Sequence, residues 1–256
     1  MAPRTLVIAC GALAREILAI RAQAGLETIE LACLPAGLHN RPAEIPEAVR
    51  AEIRKARGRF ERIFVAYADC GTGGMLDRVL DEEGVARIGG AHCYAFFAGQ
   101  DAFARLAEAE PGTFYLTDFL ARQFDALVWE GLGLDRHPEL RDAYFGNYTR
   151  LVYLAQTDDP ALTDRAKAAA ARLGLAYLRI GTGMGELDGF LQGASKGFED
   201  GGAAHRLLAR HPGAGDRQGG AEGGPAPAAG AVRAGDRPRR DARQAHRNRR
   251  LPRRVA

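Results

Sequence analysis

Short apolar runs alternate with amphipathic stretches along most of the chain. TLVIAC (5–10) is apolar at nearly every position, as a strand buried on both faces of a parallel sheet must be. ALAREILAIRAQAG follows with helical spacing and ends at Gly25. IELACLP (29–35) predicts the next strand, Pro42 and Pro46 punctuate a loop, and IPEAVRAEIRKARGRF predicts a helix. RIFVAYADC (62–70) and VARIGGAHCY (85–94) predict two more strands, separated by a glycine turn and the helix MLDRVLDEEG. RLVYLAQ (150–156) and LAYLRIGTG (175–183) predict strands on either side of DPALTDRAKAAAARLG. That helix starts at TDDP, where Pro160 and the neighbouring carboxylates suit a first turn.

Six or seven strands alternating with helices predict the α/β class, in a parallel-sheet, Rossmann-like three-layer fold. Residues 99–148 interrupt the alternation. They read as a helical, aromatic-rich insert that divides the fold into two lobes, carrying Phe103, Phe114, Tyr115, Phe119, Phe124, Trp129, Tyr144, Phe145 and Tyr148. Such rings form either a core between helices or a wall on which a ligand stacks. The α/β domain is expected to span residues 1–195. Residues 196–256 are rich in Arg, Gly, Ala and Pro, with no Phe, Tyr or Trp after Phe198. Burial there cannot offset chain entropy, so disorder is expected. A GC-rich coding sequence read out of frame gives the same mixture, and 3 lysines against 32 arginines fit such a source. A genuine tail and an out-of-frame tail both remain open.

The charge separates in the same place. Residues 201–256 hold 13 arginines against 4 acids, or +9, so residues 1–200 carry −6 of the overall +3. A mildly acidic domain argues against a nucleic-acid partner. No stretch reaches the ~18 apolar residues of a membrane span. The first apolar run ends at Cys10, too short for the core of a secretory signal. The expectation is a cytoplasmic protein with no membrane partner.

Cys10, Cys33, Cys70 and Cys93 are widely spaced, with no C-x-x-C pair. In the cytoplasm they are expected to be reduced. Ligands of doubly wound sheets bind beyond the carboxyl ends of the strands. Cys10 and Cys70 stand at predicted strand ends and Cys93 near one, while His39 is in the loop after the second strand. These four form a candidate Cys3His ligand set for zinc or another soft metal such as iron. Cysteine is also a common apolar filler, the reading given to Cys33 inside its strand. Cys10 and Cys70 each precede a glycine where a strand turns into a helix, which favours thiolate. His92 and Cys93 on an extended strand would point to opposite faces, and Cys93 is the one assigned to the pocket. His137 in LDRHPEL reads as a surface or capping residue.

In AYADCGTGGMLDRVL, the amides of Gly71, Thr72, Gly73 and Gly74 could present N–H groups to an anion. The segment lacks both the Lys-Ser/Thr of a P-loop and the G-x-G-x-x-G spacing. Asp69 suits a general base, a group buttressing a metal ligand, or a helix cap. GTGMGEL (181–187) is a second glycine turn at a strand end.

CGALAREI, LPAGLHNRPAEI, YADCGTGG, GGAHCYAFFAG, GTFYLTDFLARQFD and YFGNYTRLVYLAQ together resemble the prokaryotic family known as domain of unknown function 1638, over about residues 5–190. The resemblance implies a role beside corrinoid-dependent methyltransferases, with corrinoid or methyltransferase proteins as partners. No D-x-H-x-x-G corrinoid-ligand pattern is present.

Three readings compete. The first is a metal site on Cys10, His39, Cys70 and Cys93, accessory to corrinoid-dependent methyl transfer. The second is a metal-free enzyme with Cys70 as nucleophile, Asp69 or His39 as base and Gly71–Gly74 as anion site. The third is a non-catalytic binder of a small-molecule ligand, lined by Tyr67, Tyr94, Phe96, Tyr148 and Gln156.

Overall fold

In the computed structural model, which describes residues 3–198 and Leu208, the first strand is the centre of the first sheet. This strand, β1 (Thr5–Cys10), lies parallel to β2 (Ile29–Leu34) on one side and β3 (Arg62–Ala66) on the other; β4 (Ala86–Arg87) follows β3. The order is β2-β1-β3-β4. Val7, Ile8 and Ala9 are all fully buried. Consecutive strand residues point to opposite faces, so both faces are covered, and the unbroken apolar run is explained.

The helices that cover this sheet are α1 (Ala14–Gln23), α2 (Ile45–Ala56), α3 (Met75–Glu83) and α4 (Tyr94–Ala98). A 3-10 turn, Gly11–Leu13, carries β1 into α1. The chain then crosses through α5 (Gln100–Ala109) into a second parallel sheet, β5 (Thr113–Leu116), β6 (Arg150–Ala155) and β7 (Ala176–Gly181), in that order. Between β5 and β6 lie α6 (Asp118–Arg122), a π-helical stretch over Phe124–Trp129 and α7 (Arg141–Phe145). α8 (Pro160–Leu173) joins β6 to β7, and the Asp159 carboxylate caps it by accepting from the Ala161 and Leu162 amides. α9 (Gly185–Lys196) returns to the first lobe, against α1, α4 and β1.

The α/β class with parallel sheets, the count of six or seven strands and the division into two lobes are as expected: seven strands form two sheets, of four and three. The region read as a helical insert contains β5, the strand that founds the second sheet. Most of its rings are core: Phe114 packs edge-on to Phe145 and Tyr148 in the second lobe, Phe103 and Tyr115 pack with Tyr94 between that lobe and α4–α5, and Phe119 alone of the insert rings lines a cavity. The third strand stops at Ala66, and the fourth is two residues long, because the chain turns at Gly89–Gly90.

Two described residues past position 195 contact the first lobe. Phe198 is buried against Phe64 and Phe190, and Leu208 bridges to Ile88. The expectation of a disordered or out-of-frame tail falls, beyond these residues, outside the described chain.

Two crossovers join the lobes, side by side. Glu186 of α9 accepts from the amide of Gln100 at 3.0 Å and from its side chain at 3.3 Å. Gly185, at φ +53°, runs so close to α4 that a Cβ would stand 2.2 Å from the Phe97 carbonyl oxygen. Only glycine tolerates both conditions.

Candidate functional site

The order β2-β1-β3-β4 reverses direction between β1 and β3. At such a switch point the connections leave to opposite sides and a crevice opens beyond the carboxyl ends. The second sheet has no reversal, so the first holds the crevice. A cavity of about 50 Å3 lies there, lined by Cys10 from the end of β1, Tyr67, Ala68 and Cys70 after β3, and Cys93 and Tyr94 at the start of α4. His39 and Asn40 enter from the 3-10 helix after β2. The second lobe closes it with Thr117, Phe119, Leu120, Leu127 and Val128. At ~10–15 Å3 per water, it has room for roughly four.

The turn after β3 is built on Asp69. Its carboxylate accepts from the Thr72 hydroxyl at 2.6 Å, the Gly74 amide at 2.9 Å and the Gly73 amide at 3.2 Å. The Thr72 amide donates to the Asp69 carbonyl. Burial alone would raise the Asp69 pKa; the Thr72, Gly74 and Gly73 donors and nearby Arg87 outweigh it, and the carboxyl titrates below its usual range. Of the amides expected to face an anion, those of Thr72, Gly73 and Gly74 are thus spent on the turn, and Asp69 serves as its organiser. Inside this turn Cys70 adopts φ +50°, a left-handed conformation uncommon outside glycine. The loops after β3 and β4 zip together through Asp69 N–H to Gly90 and Cys70 N–H to Ala91, each 3.0 Å. Arg87, 5% exposed, clamps the same loops. It bonds Asp77 at 2.6 and 3.0 Å and the carbonyls of Ile88 and Gly90 at 2.9 and 3.3 Å.

Cys10, His39, Cys70 and Cys93 therefore line one cavity. They do not gather as a ligand set: among the described residues, no group of three or more His, Cys, Asp or Glu is placed to hold a metal ion. Burial pushes the Cys70 thiol up to about 12, reinforced by Cys10 and Asp69. Cys10 and Cys93 are also raised, mainly by burial. Burial, then His92, lowers the His39 pKa, so its ring is neutral at neutral pH. A thiol at about 12 supplies on the order of 10⁻⁵ thiolate at pH 7, a poor start for a nucleophile.

Cys93 and His92 occupy a turn and not a strand. Cys93 lies against the cavity, while His92 packs on Tyr94 and Phe103. Cys33, expected as a buried filler, is exposed, because β2 is an edge strand. Tyr148 belongs to the second-lobe core, and Gln156 is buried beside Asp118, so neither lines the cavity. His137 is exposed beside Glu139.

The polar network of the second lobe was not anticipated. Asp118, fully buried, accepts from Tyr153 Oη and Thr157 Oγ1, each at 2.6 Å, and from the Gln156 amide at 3.0 Å. Arg122 lies 3.6 Å from Asp118 and 3.6 Å from Glu16 of α1, so it joins the lobes beside the cavity. Burial raises the Glu16 pKa despite Arg122. The signal was present: Asp118 and Gln156 stand just past the ends of β5 and β6, where polar residues have partners to meet.

One cavity group stands apart. Tyr67 is 2% exposed, and its hydroxyl, beside the Cys10 thiol, has no hydrogen-bond partner of normal geometry among the described residues.

The pattern of one family, described as a protein of unknown function (DUF1638), matches residues 33–191. No curated protein and no solved structure matches the chain. Among the described residues, no helix is long and apolar enough to cross a membrane.

Proposed function

The chain belongs to the DUF1638 family, whose description carries no reaction, and we propose from its own geometry that it is a small-molecule-binding protein. Its ligand seats between the lobes, at the switch point of the first sheet. The observation that carries this reading is Tyr67, on the wall of a cavity that both lobes close, whose buried hydroxyl sits beside the Cys10 thiol without a hydrogen bond of normal geometry among the described residues. An unsatisfied buried hydroxyl costs about 1–3 kcal/mol, and a ligand that bonds it recovers that cost. The rest of the wall supports the same reading. It is mainly apolar, with neutral thiols and a neutral imidazole, as small-molecule sites are.

A corrin macrocycle is larger than this cavity. A role beside corrinoid-dependent methyl transfer would run through the small group exchanged, not through a corrinoid held here. The metal reading lacks a gathered ligand set, and no step is derived through zinc or iron.

The test is a ligand-observed NMR screen of the full chain against neutral fragments of four to eight non-hydrogen atoms. Hits that disappear in Ala36→Leu, which narrows the cavity, support the proposal. Hits that persist in that variant, or no hits at all, overturn it.

A further inference from the structure

Among the described residues, no Asp, Glu, Lys or Arg lines the cavity wall. Charged groups that adjoin the lining in sequence or across the lobe junction are committed elsewhere, Asp118 to Tyr153, Gln156 and Thr157. Asp69 is held by Thr72, Gly73 and Gly74, and Arg87 by Asp77 and three carbonyls. Glu16 and Arg122 face each other across the lobe junction, outside the lining. A ligand ion entering such a wall gives up its hydration and meets no counter-charge, which is the costly case. A neutral ligand loses far less, and Tyr67 Oη–H offers it one directed hydrogen bond. The thiols of Cys10, Cys70 and Cys93 offer polarizable contacts and only weak donors.

We infer that the cavity selects an uncharged ligand, or the uncharged end of a larger one, about four non-hydrogen atoms in size and carrying one acceptor for Tyr67 Oη. This rests on the proposed small-molecule site and names its ligand class. It makes Tyr67 a specificity-determining residue, beside the neutral polar side chains of His39, Asn40 and Thr117 on the same wall. The same residue carries a stability cost, because its hydroxyl is desolvated beside the Cys10 thiol without a hydrogen bond of normal geometry among the described residues.

Matched isosteres test the inference in the full chain. Acetamide and acetate share shape and differ in charge; so do isopropanol and isopropylammonium. Each is titrated against protein labelled in its alanine and leucine methyls, and the signals of Ala68 and Leu120 are followed. Saturable millimolar binding of acetamide and isopropanol is expected, with affinity at least about tenfold weaker for each charged partner. Tyr67→Phe should weaken acetamide by about three- to tenfold while raising the unfolding midpoint of the free protein. Acetate or isopropylammonium binding as tightly as its neutral partner overturns the inference but leaves the site standing. No saturable shift with any of the four overturns both. Unchanged acetamide affinity in Tyr67→Phe overturns the role of the hydroxyl.

Discussion

Replacing Asp69 by alanine tests whether the turn after β3 is held as described. The carboxylate accepts from Thr72 Oγ1 at 2.6 Å and from two glycine amides at 2.9 and 3.2 Å, and among the described residues no other side chain bonds those two amides. Hydrogen bonds to a charged group contribute about 1.5–3 kcal/mol each when buried. Asp69 is half-buried, the three bonds share one group, and water can reach part of the loop. A total loss of about 2–3 kcal/mol is therefore expected, well below the sum of three separate bonds. Urea unfolding at pH 7 measures it. The pH dependence gives an independent sign. The folded carboxyl titrates below its ordinary 3.8, so its stabilisation is present above that value and fades as pH falls through the folded pKa. The gap between wild type and Asp69→Ala should narrow in that acid window. A local readout completes the test: loosening the turn uncovers Cys70, which is 5% exposed, and its alkylation should quicken. A loss under about 0.5 kcal/mol with unchanged Cys70 alkylation would refute the reasoning, since a free loop aspartate is worth no more than that.

Further outcomes follow from the same geometry. Iodoacetamide at pH 8 should modify exposed Cys33 first and buried Cys70 last, as peptide mass mapping would show; early modification of Cys70 would contradict its burial. Arg87→Met should cost about 2–3 kcal/mol, because it leaves the Asp77 carboxylate without its partner and takes a donor from the Tyr67, Ile88 and Gly90 carbonyls, of which Gly90 keeps the Asp69 amide; urea unfolding measures this. Glu16→Gln should match or exceed wild-type stability at pH 8. The Glu16 pKa is raised above 4.5, so its protonated form stabilises the fold at low pH and that contribution is lost as pH rises through the folded pKa. The two proteins should converge as pH falls toward 4.5, and a variant clearly less stable at pH 8 would instead assign the Arg122 pair a net stabilising role.

Buried parallel strands are easy to see in a sequence, because both faces demand apolar residues: TLVIAC and RLVYLA are such runs, and each is the central strand of its sheet. The division into two lobes was legible from the break in alternation, but β5 was not: four residues, TFYL, flanked by helical pattern are too short to stand out as a strand. Edge position was hidden too, which is why Cys33 reads as a filler yet faces solvent. The rule that sites form beyond strand carboxyl ends brought Cys10, His39, Cys70 and Cys93 to one place, and all four line the cavity. It could not give their spacing or ionisation, which depend on burial by the opposite lobe. That lobe contributes Phe119, Leu120, Leu127 and Val128, apolar residues that look like any core. Tyr67 was legible as a wall residue, but its unmet hydroxyl depends on three-dimensional surroundings that spacing does not encode.

The central claim, a neutral cavity wall rather than a thiolate cage, is tested most directly by elemental analysis of the full chain beside Cys70→Ser, both purified anaerobically without a metal-binding tag. The account predicts no stoichiometric zinc or iron in either protein. One equivalent of either metal per chain, lost in Cys70→Ser, would contradict it and return Cys10, His39, Cys70 and Cys93 to the role of ligands.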